Sequence, residues 1–335
     1  MKILLGTDAW HPQINGVVRT LESLCREVSK LGSEIYLVTP ANFRTFPSPA
    51  NRTVRLALFQ PRRLLGILRS LSFDYVHIAT EGAVGLMLRQ YCLDAGSPFT
   101  TSYHTRLPEC VALQTPIPQS WVYRFERWFH GPALGTMVHS PSLSVELSSK
   151  GFRNLLPWCR GVDRQLFSPR KDRRYGDTGP VYLYVGRLTV EKNVADFLEL
   201  GLPGKKVVVG DGPLLRRLRY RYPEAIFTGW LTGDALASAY SSADVLVFPS
   251  KTDVFSNVAL EALACGTPVA AYPVPGIVDV TRGAPVCALS ENLTLAVEAA
   301  LTLDRQACSE FAMAFSPRIV AQQFLDHIRQ VHSGC

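Results

Sequence analysis

The chain has 335 residues, 47% hydrophobic and 19% charged, with a formal net charge of +7. That length exceeds one comfortable core and suits two α/β domains, and the composition excludes a disordered or low-complexity protein. No apolar run reaches the roughly 18 residues of a membrane span, and the start, Met1 to Asp8, is too short and too soon acidic for a signal peptide.

Apolar strand-like runs alternate with helical segments, the pattern of parallel α/β layers. The first series of strands is expected near 2–7, 34–39, 54–58, 75–79, 98–102, 136–139 and 154–158. Gly16 opens a helix that runs through Leu31. The stretch from Phe167 to Pro180, polar and rich in turn formers, reads as a linker. A second series is expected at 181–185 and near 206–209, 226–228, 245–248, 268–271 and 285–288. Only about a dozen residues separate Glu191-Lys192-Asn193 from the next strand, so the helix there must be short. The domains are placed at 1–165 and 166–315, with a final helix in 316–335 packing back on the first.

No acid occurs between Glu34 and Asp74, while arginines stand at 44, 52, 55, 62, 63 and 69. Residues 62–71 form a short basic amphipathic segment carrying Arg62, Arg63 and Arg69. It suits either a solvated helix or docking on anionic lipid headgroups. Nucleic acid is not expected, because the run lacks interleaved aromatics and no DNA- or RNA-binding motif is present. The eight cysteines show no CxxC or other metal-ligand spacing, and most lie in apolar segments. They read as reduced core thiols of a cytoplasmic protein.

The densest chemistry lies between Asp244 and Val269. Asp244 to Phe248 reads as a strand, Pro249 and Ser250 break it, and a helix opens near Ser256 or Asn257 and ends at Gly266. Asp253 stands in the loop before that helix and Glu261 about a turn inside it. A helix start offers amide donors and a positive dipole end to a diphosphate, and a carboxylate further in accepts from vicinal hydroxyls. The arrangement suits a nucleotide-diphosphate sugar. Arg187, after the strand-end Gly186, and Lys192 are placed at a carboxyl edge, where open α/β sheets bind ligands. Arginine gives a fixed fork and lysine a mobile point charge. There is no D-x-D and no His/Asp/Glu cluster, so no metal is expected. Gly210-x-Gly212 lacks a third glycine, which argues against a dinucleotide oxidoreductase.

Asp253-x7-Glu261 followed by Cys265-Gly266-Thr267-Pro268-Val269 resembles the E-x7-E signature of the family-4 (group 1) retaining glycosyltransferases. Asp8 to Val18 resembles the first glycine loop of that family. Ser102-Tyr103-His104-Thr105 resembles its acceptor-side histidine motif, and Arg160-Gly161-Val162-Asp163 its interdomain R-G-V-D. Val185-Gly186-Arg187-Leu188 with Glu191-Lys192-Asn193 resembles its G-R…E-K, and Gly210-Asp211-Gly212-Pro213 its G-D-G-P turn. The resemblance implies the α/β GT-B architecture, two Rossmann-like domains facing across a cleft, and a hexosyltransferase without a cofactor. The donor would be GDP-mannose or a UDP-hexose and the acceptor a membrane lipid, forming an α-glycolipid. The alternatives are a polysaccharide or lipopolysaccharide enzyme with an oligosaccharide acceptor, or a catalytically silent GT-B subunit.

By the same resemblance His104, Arg187, Lys192 and Asp253 are catalytic. Gly16, Gly186, Gly212, Phe255, Ser256, Asn257 and Glu261 bind the donor, with Glu261 on the ribose and Asp253 on the hexose. Arg106 stands where relatives carry Asp and fits an anionic acceptor. The expected location is the cytoplasm, with peripheral association at the anionic inner face of the cell membrane.

Overall fold

The computed structural model describes the whole chain except residues 14, 49–53, 172–173, 177, 252–255 and 334–335. Two compact units emerge, residues 1–160 with 317–335, and residues 161–316. The division falls at Arg160/Gly161, five residues before the boundary read from the sequence. Val162 N–H donates to the Phe315 carbonyl, and Arg164 donates to the carbonyls of Ala264 and Ser309. These bonds fasten 162–164 to the second unit.

The first unit contains β1 (Lys2–Gly6), β2 (Glu34–Val38), β3 (Thr45–Pro47), β4 (Arg55–Ala57), β5 (Tyr75–Ile78), β6 (Phe99–Tyr103), β7 (Gly135–Val138) and β8 (Leu155–Pro157). Its helices are α1 (Gly16–Lys30), α2 (Pro61–Leu68), α3 (Ala83–Asp94), α4 (Leu107–Gln114), α5 (Gln119–His130) and α6 (Pro141–Ser149), joined by the C-terminal helix Pro317–Ser333. Six strands form a parallel sheet in the order β2-β1-β5-β6-β7-β8. Strands such as Lys2-Ile3-Leu4-Leu5-Gly6 and Phe99 to Tyr103 are buried almost throughout, as a parallel sheet covered on both faces requires. One face packs on Leu64 and Leu68 of α2, Met87 and Leu88 of α3, and Phe129 of α5. The other packs on Leu21, Leu24 and Val28 of α1 and on Phe324, Leu325 and Ile328 of the C-terminal helix.

Two expectations are corrected. The 54–58 run belongs to no parallel sheet: β4 pairs antiparallel with β3 in a separate two-stranded ribbon. The basic helix starts at Pro61, whose fixed φ suits a first helical position, and ends at Leu68 rather than 71, with Arg69 as its cap.

The second unit contains β9 (Val181–Val185), β10 (Lys205–Val209), β11 (Ile226–Gly229), β12 (Val245–Phe248), β13 (Val269–Ala271) and β14 (Cys287–Leu289). Its helices are α7 (Val194–Leu198), α8 (Leu215–Arg221), α9 (Gly233–Ser241), α10 (Asn257–Ala264), α11 (Pro275–Thr281), α12 (Leu293–Ala300) and α13 (Arg305–Phe311). The strands form a second parallel sheet in the order β11-β10-β9-β12-β13-β14. α7 is only five residues long, the shortening that the spacing after Asn193 predicts. Both units are Rossmann-like, and the fold is GT-B.

The C-terminal helix closes the first unit's core. Phe324 is fully buried, 4.9 Å from the His77 ring and 5.7 Å from the Trp158 ring, and Trp158 Nε1–H donates to the Val320 carbonyl at 3.1 Å. Phe324→Ala should therefore destabilise the first unit by about 3–5 kcal/mol, measured by denaturant unfolding, whereas Ile319→Ala on the exposed side of the same helix should change stability by less than about 0.5 kcal/mol.

Candidate active site

In the second unit β9 and β12 are neighbours, and the chain leaves them in opposite directions, to β10 and to β13. That is the topological switch point, where the loops beyond the carboxyl ends of two adjacent strands part and leave a crevice. The loop after β9 carries Gly186, exposed Arg187 and half-buried Lys192. The segment after β12 leads to Ser256, Asn257 and Glu261. Residues from two separate stretches thus flank one crevice. Asp253 and Phe255 lie outside the described residues.

The Arg187 loop is held by three glycines. Gly210, at φ +142°, lies so close to Gly186 that an added Cβ would fall 1.9 Å from the Gly186 carbonyl oxygen. A Cβ on Gly212 would come within 2.6 Å of the Leu188 carbonyl oxygen. Backbone bonds join the same loops: Leu188 N–H donates to Asp211 O at 2.9 Å and Leu214 N–H to Leu188 O at 3.1 Å. Tyr184 Oη–H donates to the Arg187 carbonyl at 2.9 Å. Gly212 therefore serves loop packing at this edge. Gly210 does the same and escaped the sequence reading as a site residue.

At the second stretch Ser256 caps α10, its Oγ accepting from Ala259 N–H at 3.0 Å. Glu261 is buried and accepts from Tyr240 Oη–H of α9 at 2.8 Å. Lys251, exposed after β12, lies 4.3 Å over the Tyr272 ring and adds a third cation to Arg187 and Lys192 at this edge. The sequence offered no signal for Tyr240, which is distant in the chain and ordinary in context.

In the first unit Gly16 is exposed at the start of α1. Asn15 caps that helix, its Oδ1 accepting from Val17 and Val18 N–H at 3.0 Å each. Asp8 caps a second helix: its carboxylate accepts from the Val84 and Gly85 amides of α3 and from Thr80. Burial pushes its pKa up against the lowering by these donors.

His104 is 7% exposed just beyond β6 and lies inside a chain of hydrogen bonds. Its Nδ1 is 2.9 Å from His139 Nε2, and its Nε2 is 2.9 Å from Ser102 Oγ. His139 Nδ1 faces the Trp158 carbonyl at 3.2 Å, Ser102 Oγ faces His77 Nε2 at 3.2 Å, and His77 Nδ1 faces Thr100 Oγ1 at 2.9 Å. A carbonyl only accepts, so His139 carries its proton on Nδ1 and accepts on Nε2. His104 must then donate from Nδ1 and accept the Ser102 hydroxyl on Nε2. Ser102 accepts from His77 Nε2–H, and Thr100 donates to His77 Nδ1. One acceptor at the end fixes every tautomer.

Burial holds His77 down to about 3 and keeps His104 and His139 well below the usual histidine range; the Arg160 guanidinium lowers the latter two further. His104 is neutral, and both its nitrogens are engaged within the protein. Thr100, Ser102 and His104 alternate along one strand, so a run of polar residues on one face of a buried strand was the available signal.

Arg106 is not an open cation. Its guanidinium pairs with Glu146 of α6 at 2.7 Å, and Tyr123 Oη–H donates to Glu109 at 2.7 Å and to the same Glu146 at 3.3 Å. Behind them lies fully buried Glu126, accepting from Tyr103 Oη–H at 3.1 Å. Burial, then the nearby Glu81, pushes its carboxyl up to about 9, so it is neutral at pH 7. An anionic acceptor would meet Arg106 already neutralised. Arg62, Arg63 and Arg69 are exposed on and just after α2, with Arg63 also donating to the Asn42 carbonyl.

Two expected outcomes follow from this geometry. His77, His104 and His139 titrate in the unfolded chain near 6.5 but stay neutral when folded. The unfolded state therefore binds more protons below that pH, and stability is lost as pH falls from 6.5, by about 1.4 kcal/mol per pH unit per histidine. Glu126 acts oppositely, since its folded carboxyl keeps a proton that the unfolded chain releases above about 4.5, so it offsets part of the histidine slope, and unfolding titrations should still show stability falling as pH drops below 6.5. Separately, Gly210→Ala should cost about 1–3 kcal/mol and lower donor turnover at least tenfold by displacing the Arg187 loop. Gly201→Ala, with nothing within 4 Å of its Cβ, should be neutral in the same assays.

Residues 14–166 match the Glycosyltransferase Family 4 model and residues 179–304 the Glycosyl transferases group 1 model. The chain is 29% identical over 300 residues to the GDP-mannose-dependent alpha-mannosyltransferase of Mycobacterium tuberculosis, covering 81% of this chain and 79% of that protein. It is 26% identical over 323 residues to the alpha-monoglucosyldiacylglycerol synthase of Streptococcus pneumoniae, covering 82% and 72%. In fold it is similar to a sucrose-phosphate synthase of Thermosynechococcus elongatus, with a TM-score of 0.83, 22% identity and full coverage of both chains. With two matched segments spanning both Rossmann-like units, the chain belongs to the family-4, group 1 glycosyltransferases and is a hexosyltransferase of the GT-B fold.

Proposed function

We propose that this enzyme moves a mannose- or glucose-type hexose, with retention of configuration and without a metal ion, from a nucleotide-diphosphate sugar to a membrane lipid. The observation that carries the donor half is that Arg187 and Lys192 follow β9 while the Ser256-capped start of α10 follows β12, the two neighbouring strands of the switch point. Cations and oriented amides there would stabilise charge on a departing diphosphate. Glu261, held by Tyr240, would accept from the ribose, and Asp253 would face the hexose. The bond from C1 to the β-phosphate oxygen breaks, the acceptor oxygen bonds C1 on the same face, and its proton passes to the leaving phosphate. His104, neutral and fully bonded, takes no proton in this reading.

The lipid acceptor and the donor are supported by the names of two relatives, one GDP-mannose-dependent and one a glucosyldiacylglycerol synthase. The acids around Arg106 favour a second reading, an uncharged sugar acceptor for a polysaccharide or lipopolysaccharide.

Arg187→Ala and Lys192→Ala should each lower kcat by about 10²–10³, and activity should survive EDTA. A panel of nucleotide sugars offered with diacylglycerol vesicles or with oligosaccharides separates the acceptors, and the anomeric NMR signal of the product reports retention. A strict requirement for Mg²⁺, or normal turnover in Arg187→Ala, would sink the metal-free diphosphate mechanism.

A further inference from the structure

Helices α2, α3 and α5 cover the same face of the first sheet, α2 beside α3 and α3 joined to α5 through Arg89. Trp121, Arg124, Phe125 and Trp128 of α5 recur at helical spacing, so they share a stripe. Trp121 is 71% exposed and Trp128 53% exposed, the latter with Arg89 and Phe125 against its ring, while Val122, Glu126 and Phe129 of the same helix are buried. The Arg89 guanidinium of α3 stacks 3.8 Å from the centre of the Trp128 ring and donates to the carbonyls of Trp128 and Phe129. That fixes the tryptophan in its outward pose. Beside it, α2 and α3 bound a groove of about 510 Å³ lined by Phe59, Leu65, Met87 and Tyr91, with Phe59 58% exposed.

The charges on this surface are lopsided. Arg62, Arg63, Arg69 and Arg124 are exposed on it, and Asp94 is the exposed acid of these three helices, already accepting from Gln90. Glu126 is fully buried and neutral. Tryptophans flanked by arginines on a helix, beside an apolar slot, match the boundary between lipid headgroups and acyl chains, where the indole ring is half wet and half dry. A protein partner would need a shaped counter-surface, whereas a fluid anionic bilayer meets this combination directly.

We infer that the outer face of α2, α3 and α5 docks on an anionic membrane, with Trp121 and Trp128 as interfacial anchors and the arginines on lipid phosphates. The inference rests on the lipid-acceptor reading, and it assigns the docking chiefly to α5, a helix that the arginine pattern alone does not single out. It places the acceptor at the bilayer surface.

The test uses vesicles of phosphatidylcholine with and without phosphatidylglycerol, the full-length enzyme, and the variants W121A/W128A, W121F/W128F and R124E. Tryptophan emission should shift to the blue with anionic vesicles and be quenched by brominated lipid. W121A/W128A should lose that response and bind at least about tenfold more weakly. W121F/W128F should recover part of the binding, and R124E should weaken binding in a salt-sensitive manner. Slow hydrolysis of the donor should be unchanged in all variants, which also shows that they are folded. If the wild type binds anionic vesicles but W121A/W128A binds equally well, the docking face is wrong while the lipid-acceptor reading stands. If the wild type ignores vesicles and glycosylates a soluble sugar, both fail.

Discussion

A parallel strand cannot pair with its successor by a tight turn; the chain must leave the sheet, cross a face and return. Most carboxyl ends therefore open into a loop that begins a helix, and among the described residues twelve of fourteen strands lie in such sheets. The chemistry of this enzyme follows from that constraint. Gly186 and Arg187, Ser256 and Glu261, Asp8 and Gly16, and His104 and His139 all stand beyond the carboxyl end of a parallel strand. Apart from the polar row of His77, Thr100, Thr101 and Ser102, the sheets are largely apolar, and they hold those ends at fixed spacing.

Much of this was legible in the sequence because parallel strands buried on both faces read as unbroken apolar runs. Val181 to Val185 and Val245 to Phe248 stand out, and the residues after them can be placed at an edge without coordinates. The ribbon of β3 and β4 was not legible as such: a three-residue strand such as Arg55-Leu56-Ala57 has the same local pattern whether its partner is parallel or antiparallel. The partner is what the sequence omits.

The site divides along the same line. Arg187, Lys192, Ser256 and Glu261 were visible because local motifs place them after strands. Their supports were not: Tyr240 reaches Glu261 across 21 residues, and His139 reaches His104 across 35. Arg106 shows the reverse case. Its charge is plain in the sequence, but its neutralisation by Glu146, 40 residues away, is a property of the fold. The cation count near a site is therefore a poor guide until each partner is known.

The hydrogen-bond chain from Thr100 to the Trp158 carbonyl has a direction, with every proton displaced toward the same end. A ring flip or tautomer change at one member would set two donors or two acceptors face to face at the next. The six groups thus form a single register that moves as a whole or stays as it is. Since both nitrogens of His104 are committed to protein partners, the remaining surface of the ring is its carbon edge, of fixed shape and weak polarity. The shape and polarity of that edge are set by a row of residues reaching back to Thr100.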